Sequence, residues 1–178
     1  DLRKVYATPN ARGPRKLNAV ADEKTIDLAK YWSRIVKNIV LENEGDLVGI
    51  AALRDEWVFE GFDLDKEFPW LIVIGVAMDF DEFAAAPSSD SDTRSALEVA
   101  DKYNQGARCA AQLSNWVRDH GFNAKPHVGP WAGSITLTPA AIEAGFGELG
   151  DHGNIINDQY GSCFRLAAVS TDLPLVAD

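Results

Sequence analysis

An α+β fold, a mixed sheet with flanking helices, is what this sequence predicts, and three observations predict it. Two short apolar runs, Leu47–Leu53 (LVGIAAL) and Leu71–Met78 (LIVIGVAM), have the length and composition of buried strands. Thr93–His120 carries a long helical pattern of apolar and small residues. Strands and helices do not alternate with the regular βαβ period of a parallel sheet.

Taken in order, residues 1–21 are rich in Pro, Gly, Asn and Arg and read as an extended arm, with the remaining chain, 22–178, as one domain. The basic stretch of the arm, Arg12 to Lys16, reads as solvated. From Asp22 to Glu44, Ile26, Ala29, Ile35, Val36, Ile39 and Val40 recur at helical spacing, and Gly45 supplies a stop. The two apolar strands follow, separated by an aromatic loop, Arg54–Trp70, that holds Trp57, Phe59, Phe62, Phe68 and Trp70. Those aromatics suit either the wall of an apolar cavity or a buried core. Asp79–Asp92 is acidic and reads as an exposed loop leading into helix-capping chemistry. The long helix carries Leu97, Ala100, Tyr103, Ala107, Leu113 and Val117 and ends at Gly121. A strand over Asn123–Val128 is expected next. Thr138-Pro139 places a capping hydroxyl before a proline and opens a short helix to Ala144. Cys163–Ser170 closes the pattern as a strand.

Composition excludes several classes. The formal charge is −10 with a pI near 4.7, whereas phosphate binding calls for clustered Lys and Arg, so a nucleic-acid partner is not expected. No apolar run approaches the ~20 residues of a membrane span. A chain of this length buries roughly 70% of its unfolded surface and needs no disulfide or metal for its core. Cys109 and Cys163 form no CxxC pair, and an iron–sulfur cluster needs more thiolates than two. The sequence opens on Asp1 without a leader pattern, which reads as a processed or trimmed start and leaves the compartment open.

Among motifs, Gly145-Phe-Gly147-Glu-Leu-Gly150 fits GxGxxG, with Asp172 following. A dinucleotide site needs a strand entering and a helix leaving that turn, and here a helix enters. The glycines therefore read as a helix stop and a backbone able to pass close to something flat. His120, His127 and His152 have no metal-ligand spacing. Neither a Gly-x-Ser-x-Gly elbow nor a GxxxxGK[ST] loop is present. On the long helix, Tyr103 is followed by Gly106, Ala107, Ala110, Ala111 and Ser114. That face admits either close helix packing or a broad planar ligand. Lys102 and Arg108, close by, would favour the phenolate of Tyr103 and so suit it to donating a proton, although a tyrosine at a core rim explains it equally.

Several segments together resemble the corrinoid-dependent reductive dehalogenases and their relative, epoxyqueuosine reductase. The most distinctive is Ala144–Leu175 (AGFGELGDHGNIINDQYGSCFRLAAVSTDLPL), similar to a family pattern of AG-[LF]-GE-LG, YG, R-L-A-x-V and TDLPL. Val48–Leu53, Trp57–Gly61, Pro69–Asp79 and Tyr103 through Gly121-Phe-Asn-Ala agree with it, so the likeness covers roughly residues 46 to 178.

The resemblance implies a nitroreductase-like α+β domain that binds cobalamin. It implies reductive removal of halide at a Co(I) corrinoid while a tyrosine donates the proton. Carried onto this sequence, Tyr103 is the candidate donor, with Arg165 or Lys102 as the cation that stabilises its phenolate. Gly106 and Ala110 would face the corrinoid. Gly145, Gly147, Gly150, His152 and Gly153, with Tyr160-Gly161, would wrap its tail. An organohalide substrate, a ferredoxin-type electron donor and pairing into a homodimer are the implied partners.

Two departures matter. Family members continue past TDLPL into CxxCxxCxxxCP motifs that hold 4Fe-4S clusters, and this sequence stops at Asp178. Electron delivery would therefore lie in a part not contained here or in a separate protein, and this chain by itself is not expected to turn over. The epoxyqueuosine branch also carries an acidic residue before the AG-[LF]-G turn that Pro130-Trp131-Ala132-Gly133 lacks, which weighs against a tRNA substrate. No Asp-x-His-x-x-Gly motif offers a protein histidine to cobalt; His127 and His152 remain the alternatives. Against the catalytic reading stand a non-catalytic corrinoid carrier and, by fold analogy alone, a flavin reductase.

Overall fold

The structure, a computed structural model, describes residues 11–14, 16–63, 68–130 and 133–178. Residues 1–10 and Arg15 of the expected arm, Leu64–Glu67 of the aromatic loop, and Trp131-Ala132 lie outside the described residues.

The elements in chain order are α1 (Ala29–Glu42), β1 (Leu47–Ala52), β2 (Trp70–Ala77), α2 (Phe80–Phe83), α3 (Arg94–Asp119), β3 (Ala124–Val128), α4 (Thr138–Glu143), β4 (Glu148–Leu149), β5 (Ile155–Ile156) and β6 (Phe164–Thr171). Strands β1, β2, β6 and β3 form one sheet in that order, and β4 pairs with β5 in a small hairpin. The α+β class is as the sequence predicts. Within it, the sheet expected to be mixed has only antiparallel pairings, because β6 inserts between β2 and β3. The chain thus runs from β2 through α3 to β3 as a split βαβ crossover, with the last strand filling the gap.

Strand alternation sorts the core into two layers. Ile50, Ile72, Ile74, Val76, Ala167 and Val169 face α1 and α3. Ala51, Leu71, Val73 and Ala168 face the other way, onto Trp57, Ala140, Ala141, Phe146 and Ile155. Both faces of β2 are covered, so its run is continuously apolar rather than alternating. Each fully buried Val, Leu or Ile contributes about 1.5–3 kcal/mol, which is why α3 lies on the sheet over most of its length.

Helix α1 begins at Ala29, later than the expected Asp22, and Ile26 is 91% exposed. The backbone before it has another task. The amides of Ala21 and Thr25 donate to the carbonyls of Arg118 and His120 (2.9 and 3.1 Å) at the end of α3, where the helix no longer supplies its own full set of donors. The acidic loop also holds the single turn α2, capped by the Asp79 carboxylate, which accepts from the amides of Asp81 (2.9 Å) and Glu82 (3.1 Å). Thr138 is already inside α4 and makes no side-chain cap, contrary to expectation. The stop at Gly145 follows from its φ of +81°. Its amide donates to Ile142 and that of Phe146 to Ala141, closing the helix in the Schellman manner.

Where it is described the arm is packed on one side and solvated on the other, with Pro14, Lys16, Asn18 and Ala19 exposed. It runs along α3: the Ala11 carbonyl accepts from Arg108 (2.6 Å), Asn18 bonds Asn115 and Asp119, and the Asn18 carbonyl accepts from Arg118 (2.5 Å).

Candidate functional site

Strand β3 ends opposite Ala167, so Phe164–Leu166 at the start of β6 extend past it. A cavity of about 390 Å³ opens at that end of the sheet. Its walls come from four places: Tyr103 on α3, His127–Pro130 at the exit of β3, Ile135–Thr138 leading into α4, and Asn154, Ile155 and Ser162 of the hairpin region. Phe164, Arg165 and Leu166 form the sheet side, and Phe59 closes one flank. This volume lies within the range of small-molecule sites.

Tyr103 and Arg165, far apart in sequence, meet here. The Arg165 guanidinium carbon is 5.6 Å from the centroid of the Tyr103 ring and 5.8 Å from that of Phe83 in α2. Arg165 alternates onto the α3 face of β6, which aims it at that helix. Its Nε is buried without a hydrogen-bond partner among the described residues. A guanidinium packed between two rings is attracted to their faces, yet that nitrogen's hydrogen-bonding capacity goes unused. Gly129 completes the pocket around the tyrosine: a Cβ there would stand 2.5 Å from Tyr103 Cδ1 and 3.2 Å from Cζ. Only glycine allows that approach.

His127 lines the same cavity, and its Nε2 bonds Ser170 Oγ (2.9 Å). Burial, aided by the positive charge of Lys125, lowers its pKa to about 4, so the ring is neutral near pH 7. No cluster of three or more His, Cys, Asp or Glu suited to a metal occurs among the described residues.

Other sequence candidates fall elsewhere. Lys102, next to Tyr103 on the helix, points away from the cavity lining and is engaged by Gln105 (3.3 Å) and Glu98 (3.8 Å). Gly106 faces Ala167 and Val76, and Ala110 is fully buried in the helix–sheet core. The small residues of α3 therefore serve close packing on the sheet, the simpler of the two readings. Gly145 ends α4, and Gly147 and Gly150 flank strand β4 of the hairpin. Gly153, with φ of +83°, turns the chain between its strands and precedes Asn154. His152 Nε2 bonds Ser162 Oγ (3.1 Å). The Gly161 amide and carbonyl pair with Asn157, and the Tyr160 hydroxyl accepts from Gln159 (2.9 Å). This loop meets the cavity through Asn154, Ile155 and Ser162, not through its glycines.

No protein-family model matches the sequence. The chain is 31% identical over 134 residues to the tetrachloroethene reductive dehalogenase of Desulfitobacterium hafniense, covering 75% of this chain and 22% of that protein. The chain belongs to the reductive dehalogenase-like family. It spans about a quarter of the length of the relatives it matches. A reductive dehalogenase whose structure suggests a mechanism for B12-dependent dehalogenation superposes with a TM-score of 0.79 at 20% identity, over 99% of this chain and 26% of that one. Epoxyqueuosine reductase with a tRNA stem loop shares the fold at a TM-score of 0.62 and 15% identity, over 83% of this chain and 47% of that one.

For a reductive dehalogenase-like chain, the sequence pointed to Tyr103 and Arg165 but missed Gly129, Asn154, Ser162 and Phe83. The Gly129-Pro130 pair directly after a strand was a usable signal for Gly129, since a glycine there permits a close backbone approach. Nothing in the sequence marked the others.

Proposed function

We propose that this chain forms the cobalamin-facing part of a reductive dehalogenase-like oxidoreductase that removes halide from an organohalide. Tyr103 donates the proton, and Arg165 stabilises the phenolate left behind. The observation that carries this reading is the Arg165 guanidinium beside the Tyr103 ring at the wall of a substrate-sized cavity.

The reaction consumes two electrons and one proton: the carbon–halogen bond breaks, halide leaves, and a carbon–hydrogen bond forms. Bound cobalamin would supply the reducing centre. One feature supports a fit with such a group: Arg165 Nε, on the cavity wall, is buried and without a hydrogen-bond partner among the described residues. Asn154, Ile155 and Ser162 would border it, and Phe59, Ile135 and Leu137 would keep water from the substrate. Removing a proton from a phenol is made easier by a fixed cation in a poorly solvated place, the arrangement that lowers barriers where charge develops. His127, neutral and tied to Ser170, orients the cavity wall rather than supplying protons. A ferredoxin-type protein would bring the electrons. A mere corrinoid carrier would have no use for an acid–cation pair on the cavity wall.

The test is absorbance titration of the chain with cobalamin, followed by halide release from a bromophenol under a low-potential chemical reductant. Binding with halide release, lost in Tyr103→Phe while binding persists, is the expected result. Absence of any spectral change on titration would overturn the cobalamin assignment, and full turnover by Tyr103→Phe would overturn the donor assignment.

A further inference from the structure

We infer that Arg12, in the N-terminal arm, is a positioning residue for Tyr103 that acts through the backbone of Gly129. Its functional consequence rests on the proton-donor reading above; the positioning itself does not.

The guanidinium of Arg12 donates from one terminal nitrogen to Asn104 Oδ1 (3.3 Å) and from the other to the carbonyl oxygen of Gly129. Asn104 directly follows Tyr103 on α3 and is 2% exposed. Gly129 is the residue whose backbone lies on the Tyr103 ring. One planar group therefore ties together the helix that carries the tyrosine and the strand exit that covers it. Arg suits this task because its donors are fixed in a fork, whereas a Lys ammonium is a single point that serves one acceptor well at a time.

The arm that delivers Arg12 is itself held. The Ala11 carbonyl accepts from Arg108, and Arg108 Nε is in turn bound to both carboxylate oxygens of Glu44 (3.0 and 2.8 Å). Gly13 lies against Arg108 and Ala111, where a Cβ would already be at 3.4 Å. Arg12 thus reaches the site from an anchored backbone. Without it, the Gly129 segment is free to lift from the ring. A misplacement of ~1 Å in a reacting group costs up to about 10²-fold in rate.

The competing reading is that Arg12 only fastens the arm to α3. The two differ in what Tyr103 feels. With 3-fluorotyrosine incorporated, the ¹⁹F resonance of Tyr103 is the one lost in Tyr103→Phe. In Arg12→Ala that resonance is expected to shift and broaden while those of Tyr31 and Tyr160 stay in place, with Arg12→Lys intermediate. Arg12→Gln, run alongside, keeps a polar group at the position should the alanine variant fold poorly. In halide release from a bromophenol, kcat is expected to fall about 10-fold with KM little changed. An unmoved Tyr103 resonance in both Arg12→Ala and Arg12→Gln would overturn the inference, as would equal movement of Tyr31 and Tyr160. If Tyr103→Phe retains full turnover but Arg12→Ala still moves the Tyr103 signal, the donor reading falls and the positioning stands.

Discussion

The Gly129 backbone rests on the ring of Tyr103, close enough that a methyl group in place of its α-hydrogen would overlap the ring carbons. Substitution by alanine must therefore push the ring or lift the strand exit. Overpacking of this kind costs about 1–3 kcal/mol. Gly129→Ala is expected to lower the free energy of unfolding by that amount, read as a lower urea midpoint at unchanged slope, and to reduce turnover more than substrate binding. An unchanged urea midpoint would show that the contact is absent in solution.

Under the proposed function, the Tyr103–Arg165 pair separates two roles. Tyr103→Phe removes the proton and should lower turnover by about 10²–10⁴-fold. Arg165→Gln keeps a polar side chain but removes the charge, and should cost about 10²–10³-fold. If the two act as one unit, the double variant is scarcely worse than Tyr103→Phe alone, whereas fully additive losses in a double-mutant cycle would deny the pairing.

His127 makes stability depend on pH in a definite direction. Its folded pKa of about 4 lies below the ordinary value of 6.5, so the unfolded chain takes up a proton that the folded one refuses. The stability tied to this residue is complete above pH 6.5 and declines as the pH falls towards 4, by up to roughly 3 kcal/mol. His127→Gln is expected to flatten that part of the pH–stability curve. A slope identical to the parent's between pH 4 and 6.5 would place the effect elsewhere.

The two thiols should differ in reactivity. Burial pushes Cys109 up to about 11, and it is 1% exposed between α3 and the sheet. Cys163 is half-buried at the start of β6, also raised by burial. Thiolate is the reactive form, so both react slowly, and Cys109 only on unfolding. A disulfide reagent at pH 8 should label Cys163 alone until denaturant is added; mass mapping that finds Cys109 labelled first would contradict the packing.

Strand and helix identities were legible in the sequence wherever one physical pattern dominated. The runs Leu47–Leu53 and Leu71–Met78 are buried on both faces, and α3 carries its apolar and small residues at helical spacing, so local composition alone marks them. The start of α1 was not legible. The expected start at Asp22 takes in backbone beside which Ala21 and Thr25 donate their amides to the end of α3, a demand that arises only once the two segments lie side by side.

The site divides in the same way. By itself the sequence determined that a tyrosine stands on the long helix, that an arginine stands near the start of the last strand, and that a glycine turn ends the short helix between them. Only the tertiary structure decided that Arg165 and not Lys102 is the cation facing Tyr103. Neighbours on a helix diverge by about 100°, whereas a strand passing under the helix can aim its side chain straight at it. Tertiary structure also decided that Gly106 and Ala110 seat the helix on the sheet, and that Arg12, at the other end of the chain, reaches the backbone over the tyrosine. Such contacts depend on which distant surfaces meet, and a linear sequence carries no local periodicity that records them.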